Sequence, residues 1–197
     1  MKIIIISGTP GCGKTSVSKK ISEKINAKTI SLNEITVSEN LTLKYDKKRE
    51  THVVDFNKLI PHVENLIELY NKENIEFLLI EGHFSDAIPE KYIDYVIILR
   101  CNPDELFKRL EKRGYKTEKI RENIQAEILG NCTNFFIQKQ IKSPMYEIDT
   151  TNLTIDSIAK IIIDLIVNNI NLEKYILGKI DWLEILSQND RIHEFFD

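Results

Sequence analysis

Eight residues near the start of the chain have the types and spacing of a phosphate-binding loop. Residues 8–15 read GTPGCGKT and fit the pattern G-x-x-x-x-G-K-[ST] at every fixed position. Glycines let such a turn point several main-chain N–H groups at phosphate oxygens, and the positive end of the following helix dipole adds to the attraction. We therefore expect Lys14 to reach the β- and γ-phosphates of a nucleoside triphosphate and the Thr15 hydroxyl to bind Mg²⁺.

The residues on either side of the loop supply the context that this motif requires. Residues 2–6, KIIII, are a β-branched run typical of a buried strand. Beyond the loop, Val17, Ile21 and Ile25 recur every four residues among polar neighbours, which indicates an amphipathic helix. Strand, glycine-rich loop and helix favour phosphate binding over an ordinary tight turn. The loop positions predicted to bind the nucleotide are Gly8, Gly11, Cys12, Gly13, Lys14 and Thr15.

Glu81 is the carboxylate best placed to assist the loop. Phosphoryl transfer from ATP needs charge neutralisation and alignment more than covalent chemistry, so a second acidic group is expected near the phosphates. Glu81 ends the apolar run 77–81, FLLIE, where strands of a parallel sheet would surround them. It could hold Mg²⁺ directly or through water, orient an attacking water, or be a solvated strand end. His83, two residues on, belongs either to the same site or to the packing of a loop.

Two arginines on one predicted helix are candidates for neutralising phosphate charge. Arg109 and Arg113 lie one turn apart and share a face. They either point together at nucleotide phosphates or form surface pairs, for example Arg109 with Glu105. Arg121 is a weaker candidate. The predicted catalytic residues are Lys14, Glu81, His83, Arg109 and Arg113, and the predicted metal ligands are Thr15 and Glu81.

The three cysteines, Cys12, Cys101 and Cys132, suit neither a zinc site nor a disulfide framework. We expect a reducing compartment, the cytoplasm, or the nucleus if the source is eukaryotic. Cys12 lies inside the phosphate loop, and a helix N-terminus lowers a thiol pKa. It is either a small residue that fits the loop or a redox-sensitive thiol.

Composition predicts one domain with a sizeable core. The chain has 197 residues, of which 42% are hydrophobic, and a formal net charge of −3, which argues against a large non-specific nucleic-acid surface. The N-terminus lacks the layout of a signal peptide, and the late apolar run 161–167 is short and interrupted by Asp164. We expect no membrane partner and a monomer.

Strand patterns alternate with helix patterns along the chain. The predicted strands cover residues 2–6, 28–32, 77–81, 95–99 and 146–149, and later helices cover 59–70, 102–113, 116–128, 155–166 and about 181–184. This alternation predicts an α/β fold of the P-loop NTPase type, with three layers, α/β/α, and a five-stranded parallel sheet. Between residues 33 and 54, with YDKKRE at 45–50, the chain reads as polar and irregular, and long loops are often functional.

Seven collinear segments carry a family resemblance. They are residues 7–16 (SGTPGCGKTS), 45–46 (YD), 81–83 (EGH), 99–100 (LR), 109–115 (RLEKRGY), 123–128 (NIQAEI) and 181–184 (DWLE). Together they resemble the archaeal-type adenylate kinases, whose eukaryotic relatives are the nuclear adenylate kinase/ATPase proteins of the CINAP type. The phosphate loop alone would indicate only a superfamily, whereas the later segments are far more specific.

The resemblance implies a nucleoside monophosphate kinase fold in which residues 1–197 form one P-loop kinase domain. An AMP-binding region would lie at about 31–54 and a lid at about 112–122. The implied ATP contacts are Gly11, Gly13, Lys14, Thr15, Ser16 and the lid arginine Arg113, and the implied acid and histidine of the site are Glu81 and His83.

The resemblance also implies an activity. Family members carry out the Mg²⁺-dependent reaction ATP + AMP = 2 ADP, sometimes with other nucleoside monophosphates as acceptors, and hydrolyse ATP. They are linked to maturation of the small ribosomal subunit through a transient contact with a platform ribosomal protein. The chain departs from the eukaryotic pattern at Glu81, where relatives have Asp, at Val37, where they have Arg, and at Leu153, where they have Lys. Arginine is the residue that usually binds a phosphate with two parallel hydrogen bonds. With Val37 at this position, the sequence does not indicate which acceptor molecule binds.

Two other functions remain open alongside adenylate kinase. One is an ATP-switched ribosome-assembly factor, in which hydrolysis is the productive reaction and His83 and residues 33–54 matter most. The other is a P-loop kinase for a different small acceptor, such as a nucleoside or a sugar-like alcohol. The collinear segments favour the adenylate kinase interpretation over the last.

Overall fold

The computed structural model describes residues 1–47, 51–170 and 172–196. Its strands are β1 (Lys2–Gly8), β2 (Ala27–Ser31), β3 (Thr42–Asp46), β4 (Thr51–Val54), β5 (Phe77–Glu81), β6 (Tyr95–Arg100) and β7 (Met145–Asp149). Within the described residues, five strands pair in parallel in the order β2-β5-β1-β6-β7, and β3 and β4 form a separate antiparallel pair. The predicted five-stranded parallel sheet is confirmed.

The central strand β1 is apolar on both faces because helices cover both. Its side chains alternate, so Ile4 and Ile6 enter one core and Ile3 and Ile5 enter the other. In the parallel register Ile6 lies opposite Glu81 of β5. The carboxyl ends of β1 and β5 therefore bring the phosphate loop and Glu81 to one edge of the sheet.

Helices form the two outer layers. They are α1 (Lys14–Lys24), α2 (Leu32–Ser38), α3 (Phe56–Asn71), α4 (Pro103–Lys112), α5 (Thr117–Ile128), α6 (Asn131–Gln138), α7 (Ile155–Ile166), α8 (Trp182–Gln188) and α9 (His193–Phe196), with short 3₁₀ turns at Ser85–Ala87, Glu90–Tyr92 and Leu172–Tyr175. The buried residues of α1, α4, α5, α7 and α8 pack on one face of the sheet, and those of α2, α3 and α6 pack on the other. The predicted three-layer α/β/α fold is confirmed.

The helix α4 begins and ends as its sequence predicts. The Asn102 side chain accepts a hydrogen bond from the Asp104 N–H at 2.9 Å, and Pro103 takes the first helical position. Gly114 follows the last turn with φ +74, a conformation that favours glycine. The next helix starts only three residues later, so the two helices form a tight pair.

The prediction that residues 33–54 are irregular was wrong. The structure places α2 and the β3–β4 hairpin there, and residues 48–50 lie outside the described part. In α2 only Leu32 and Thr36 are buried, so the helix is too short and too exposed to show a hydrophobic period. Leu32 packs against the end of β5 because Gly82 leaves room: a Cβ on Gly82 would lie 3.0 Å from Leu32 Cβ.

The helix α6 was also not predicted. It buries only Thr133 and Phe136, and its N-cap is Gly130, whose φ is +63. Among the described residues, each helix falls short of the length and apolarity needed to cross a lipid bilayer.

Candidate active site

The phosphate loop has a backbone conformation that favours glycine at three positions, and at two of them a Cβ would also clash. Gly8 and Gly11 have φ of +139 and +100, and a Cβ at Gly8 would lie 2.4 Å from the carbonyl oxygen of Leu99. A Cβ at Gly11 would lie 2.6 Å from Leu106 Cδ1. Gly13, with φ +101, precedes the first turn of α1, whose N–H groups have no partners within the helix. The loop therefore presents main-chain donors and a helix N-terminus to the same space, which fits a polyphosphate.

The Lys14 side chain is held by main-chain carbonyl groups of the phosphate loop. Its side chain is buried, and Nζ donates to the carbonyl oxygens of Gly8 at 2.7 Å and of Thr9 at 3.2 Å. Thr15 and Ser16, the next two residues, line the adjoining cleft. An ammonium group, two hydroxyls and main-chain N–H groups thus converge at one mouth of the cleft.

Thr15 and Glu81 form a site that fits Mg²⁺. Thr15 Oγ1 donates to Glu81 Oε1 at 3.0 Å, and Glu81 is fully buried. The other oxygen, Oε2, has no hydrogen-bond partner among the described residues. A buried carboxylate oxygen without a donor is costly, and a hard cation would satisfy it. Among the described residues, no group of three or more His, Cys, Asp or Glu side chains is placed to hold a metal ion by itself. Mg²⁺ bound with a nucleotide takes one or two carboxylates from the protein and its other ligands from phosphates and water.

His83 lies at the cleft as a neutral imidazole. It lines the cleft with part of its surface exposed, while its ring packs edge-on against Phe84 at 4.7 Å between centroids. Desolvation among the surrounding groups, together with the nearby Lys14 ammonium, lowers the pKa of His83 to about 4. At neutral pH the ring can accept a hydrogen bond on one nitrogen and donate one from the other.

The structure separates the two arginines that the sequence pairs. Arg113 follows the last residue of α4 and lines the cleft. Arg109 instead points to the loop after β7, where Nη2 donates to the carbonyl oxygens of Thr150 at 2.9 Å and Thr151 at 3.0 Å, and Nε donates to Glu105 at 3.0 Å. Arg109 is absent from the lining of the cleft, as is the buried Glu81, but Glu81 is hydrogen-bonded to the lining residue Thr15 whereas the partners of Arg109 lie outside the lining. The expectation of a pair aimed at the phosphates is therefore wrong for Arg109, whose guanidinium joins α4 to residues 150–151.

Cys12 does not present its thiol to the cleft. The side chain is fully buried, with Sγ 3.8 Å from Glu127 Oε2. Burial, with the neighbouring Glu127 carboxylate, raises the pKa of the Cys12 thiol well above its ordinary value. This corrects the expectation that the helix N-terminus lowers that pKa. Cys12 is the small residue that fits the loop, and only its main chain can face a nucleotide.

One cleft of about 450 Å³ brings the loop together with two other regions. From the α2–β4 region come Asn33, Thr36, Val37, Thr51, His52 and Val54. From the end of α4 and the start of α5 come Arg113, Tyr115, Lys119, Glu122 and Asn123. The cleft is large enough for a nucleotide-sized ligand.

Sequence reasoning missed two buried hydroxyls at this site. Thr36 is 3% exposed and lines the cleft, and its Oγ1 has no partner among the described residues. Thr9, inside the loop, donates to Glu127 of α5. No sequence pattern marks a threonine in a helix or in a loop as part of a site. Glu127, by contrast, lies within residues 123–128, one of the segments that carry the family resemblance.

The fold and cleft define a protein of the P-loop kinase type, and comparisons with known proteins agree. The family described as "AAA domain" matches residues 4–130. A protein of Methanocaldococcus jannaschii named "Putative adenylate kinase" is 38% identical over 181 residues, covering 92% of this chain and 93% of that protein. One of the same name from Methanosarcina barkeri is 39% identical, covering 93% and 99%.

Solved structures show the same fold at low identity. Shikimate kinase from Acinetobacter baumannii, solved with shikimate, aligns with a TM-score of 0.60 and 17% identity, covering 87% of this chain and 96% of that chain. Deoxyadenosine kinase from M. mycoides aligns with a TM-score of 0.52 and 19% identity, covering 85% and 100%. Because its identity to these archaeal proteins exceeds 30% over most of both chains, the chain belongs to the archaeal adenylate kinase family that its motifs suggest.

Proposed function

We propose that the protein is a Mg²⁺-dependent nucleoside monophosphate kinase that transfers the γ-phosphoryl group of ATP to AMP and so forms two ADP. The observation that carries this proposal is the cleft that is lined both by the phosphate loop and by a second set of polar residues from α2 and β4. A hydrolase needs only the loop and a water, whereas this second set suits an acceptor molecule. The relatives named as adenylate kinases support AMP as that acceptor.

The donor side of the cleft would hold ATP and its metal. Main-chain N–H groups of the loop and the Lys14 ammonium bind the β- and γ-phosphates. Thr15 and Glu81 hold Mg²⁺, which when bound neutralises charge on the phosphates. Arg113, at the cleft, stabilises negative charge on the transferring group, a role in which an arginine supplies about 10³–10⁵ in rate in other phosphoryl-transfer enzymes.

The other two regions would bind the acceptor and exclude water. We assign residues 31–54 to the acceptor, since Asn33, Thr36 and His52 line the cleft there. We assign residues 112–122 to a lid, since Arg113, Tyr115 and Lys119 of this segment also line the cleft. Closure of such a lid makes a phosphate oxygen of AMP, rather than water, the group that attacks the γ-phosphorus of ATP.

ATP hydrolysis at the same site is the second candidate, and His83 favours it. The neutral imidazole lies at the cleft near Lys14 and can orient a water for attack. Under this alternative the nucleotide state would control binding to another macromolecule. The small ribosomal subunit and its platform protein are the partners that the family resemblance indicates.

The test is the stoichiometry of products formed from Mg-ATP with and without AMP. The kinase predicts two ADP for each ATP consumed, only when AMP is present, and little inorganic phosphate. Other monophosphates and small alcohols in place of AMP define the acceptor. Phosphate release that AMP leaves unchanged would contradict the kinase and favour the hydrolase.

A further inference from the structure

A charged cluster lies buried behind the phosphate loop, outside the cleft. Arg100 at the end of β6, Glu127 in the last turn of α5 and Glu147 of β7 are all buried. The guanidinium donates from Nε to Glu127 Oε1 at 2.8 Å and from Nη1 to Glu147 Oε1 at 2.7 Å. Burying charges costs several kcal/mol per ion unless each is closely paired and hydrogen-bonded. One cation serves two carboxylates here, so each carboxylate also needs other donors.

Glu127 receives those donors from three different parts of the chain. Its Oε1 accepts from the Cys101 N–H and from Trp182 Nε1, both at 3.1 Å. Its Oε2 accepts from Thr9 Oγ1 at 2.5 Å. Trp182 belongs to α8 near the C-terminus, Cys101 follows β6, and Thr9 lies in the phosphate loop. A carboxylate on α5 therefore ties the loop to the sheet and the C-terminal segment at one point.

Thr9 transmits this contact to the part of the loop that faces the cleft. Its side chain is 2% exposed and points to Glu127, while its carbonyl oxygen accepts from Lys14 Nζ at 3.2 Å and from the Cys12 N–H at 3.1 Å. The Thr9 carbonyl closes the turn to Cys12 and contacts the Lys14 ammonium. A shift of Thr9 would therefore move both the turn and the ammonium. Hydrogen bonds to an ionised acceptor are short and about twice as strong as neutral ones, which suits an anchor.

We propose that Glu127 is a positioning residue that, through Thr9, holds the phosphate loop in the geometry that binds ATP. The helix that carries Glu127 in its last turn also carries cleft residues in its earlier turns, Lys119, Glu122 and Asn123. The loop anchor and part of the assigned lid are thus on one rigid element. The inference rests on the proposed function, because it concerns the affinity of the loop for ATP.

The test uses Thr9→Val, which keeps the volume of the side chain and removes Oγ1, with Thr9→Ser as the rescue. The matched control is Thr133→Val, because Thr133 Oγ1 donates to Glu147 of the same cluster at 2.7 Å and, among the described residues, forms no hydrogen bond to the phosphate loop. Calorimetry gives the Kd for Mg-ATP, and steady-state rates give KM for ATP, KM for AMP and kcat. Thr9→Ala, which adds no bulk, replaces Thr9→Val if the latter does not fold.

We expect Thr9→Val to weaken ATP binding about tenfold, the scale of a lost hydrogen bond to a charged group, and to leave KM for AMP within about twofold. Thr9→Ser should bind ATP nearly as the wild type does, and Thr133→Val should keep the wild-type Kd. Wild-type affinity in Thr9→Val, or an equal loss in Thr133→Val, would overturn the inference, since the cluster would then only stabilise the fold. A wild-type protein without affinity for ATP would overturn the proposed function itself.

Discussion

The two sides of the cleft are held in different ways. On the donor side, Thr9, Lys14 and Glu81 are at most 6% exposed, and the loop is tied by hydrogen bonds to its own carbonyls and to Glu127. On the side assigned to the acceptor, β3 and β4 pair only with each other among the described residues, and Leu43 and Tyr45 are 67% and 50% exposed. The donor side is buried and held by hydrogen bonds between different elements, whereas the acceptor side is a small exposed unit.

This difference separates two tasks in phosphoryl transfer. Groups that stabilise charge in the transition state act best when they are fixed before the reaction, because no reorganisation is then needed. Segments with few buried contacts open at low cost in free energy and suit binding steps that involve closure. We therefore expect substitutions on the donor side to lower kcat or ATP affinity, and substitutions on the acceptor side to change KM for the acceptor.

The largest effect is expected from Lys14→Ala. Removing one fixed donor to the developing phosphate charge should lower kcat/KM for ATP by about 10²–10³-fold. Lys19→Ala, an exposed lysine of the same helix, is the matched control and should keep wild-type rates. If Lys14→Ala retained more than a tenth of wild-type activity, the phosphate loop would not be the donor site.

The next effect is expected from Glu81→Gln, which keeps the shape of the side chain and removes its charge. The rate should fall about 10²-fold and the Mg²⁺ concentration for half-maximal rate should rise, because a neutral amide is a weak ligand for a hard cation. Glu81→Asp keeps the charge on a side chain that is one methylene shorter. Its rate and its Mg²⁺ requirement should lie between those of the wild type and of Glu81→Gln. An unchanged Mg²⁺ requirement in Glu81→Gln would remove this carboxylate from the metal site.

A smaller and more selective effect is expected from Thr36→Val on the acceptor side. Loss of the buried, unpartnered hydroxyl should raise KM for AMP about fivefold, the scale of one neutral hydrogen bond, with KM for ATP unchanged. Ser38→Ala, an exposed hydroxyl of the same helix, is the control. Equal changes in both KM values would show that the two sides are not separate in function.

The smallest effect concerns His83, which also lines the cleft. Since the folded-state pKa is about 4 against an ordinary 6.5, the unfolded state binds more protons between these values, so stability rises with pH there and is lost as pH falls. His83→Gln removes this contribution. Urea unfolding at several pH values should show a shallower loss of stability for the variant between pH 6.5 and 4. Identical slopes in the two proteins would contradict the lowered pKa.

The donor side was also the more predictable of the two. The loop, the strand before it and the helix after it are adjacent in sequence, so spacing alone indicates their arrangement. Glu81 was predictable because strands of a parallel sheet end at a common edge. The anchor between Thr9 and Glu127 was not, since it joins residues 118 apart in sequence and neither residue type implies the other.

The acceptor side shows why the remainder was missed. Helix α2 and the β3–β4 hairpin are short and exposed, so they lack the hydrophobic periods on which sequence patterns depend. Arg109 and Arg113 illustrate the same limit on a longer helix. Helical spacing placed them on one face. Only the fold shows that the carbonyl groups of residues 150–151 accept hydrogen bonds from Arg109 while Arg113 lines the cleft.

The most direct test of the central claim follows the phosphoryl group itself. ATP labelled at the γ-phosphate is mixed with an excess of enzyme, Mg²⁺ and AMP, and the products of one turnover are separated. Direct transfer predicts that the label appears in ADP made from AMP, with little in inorganic phosphate, and that Lys14→Ala yields neither. Label found mainly in inorganic phosphate, at the same rate with and without AMP, would contradict a kinase with a dedicated acceptor side.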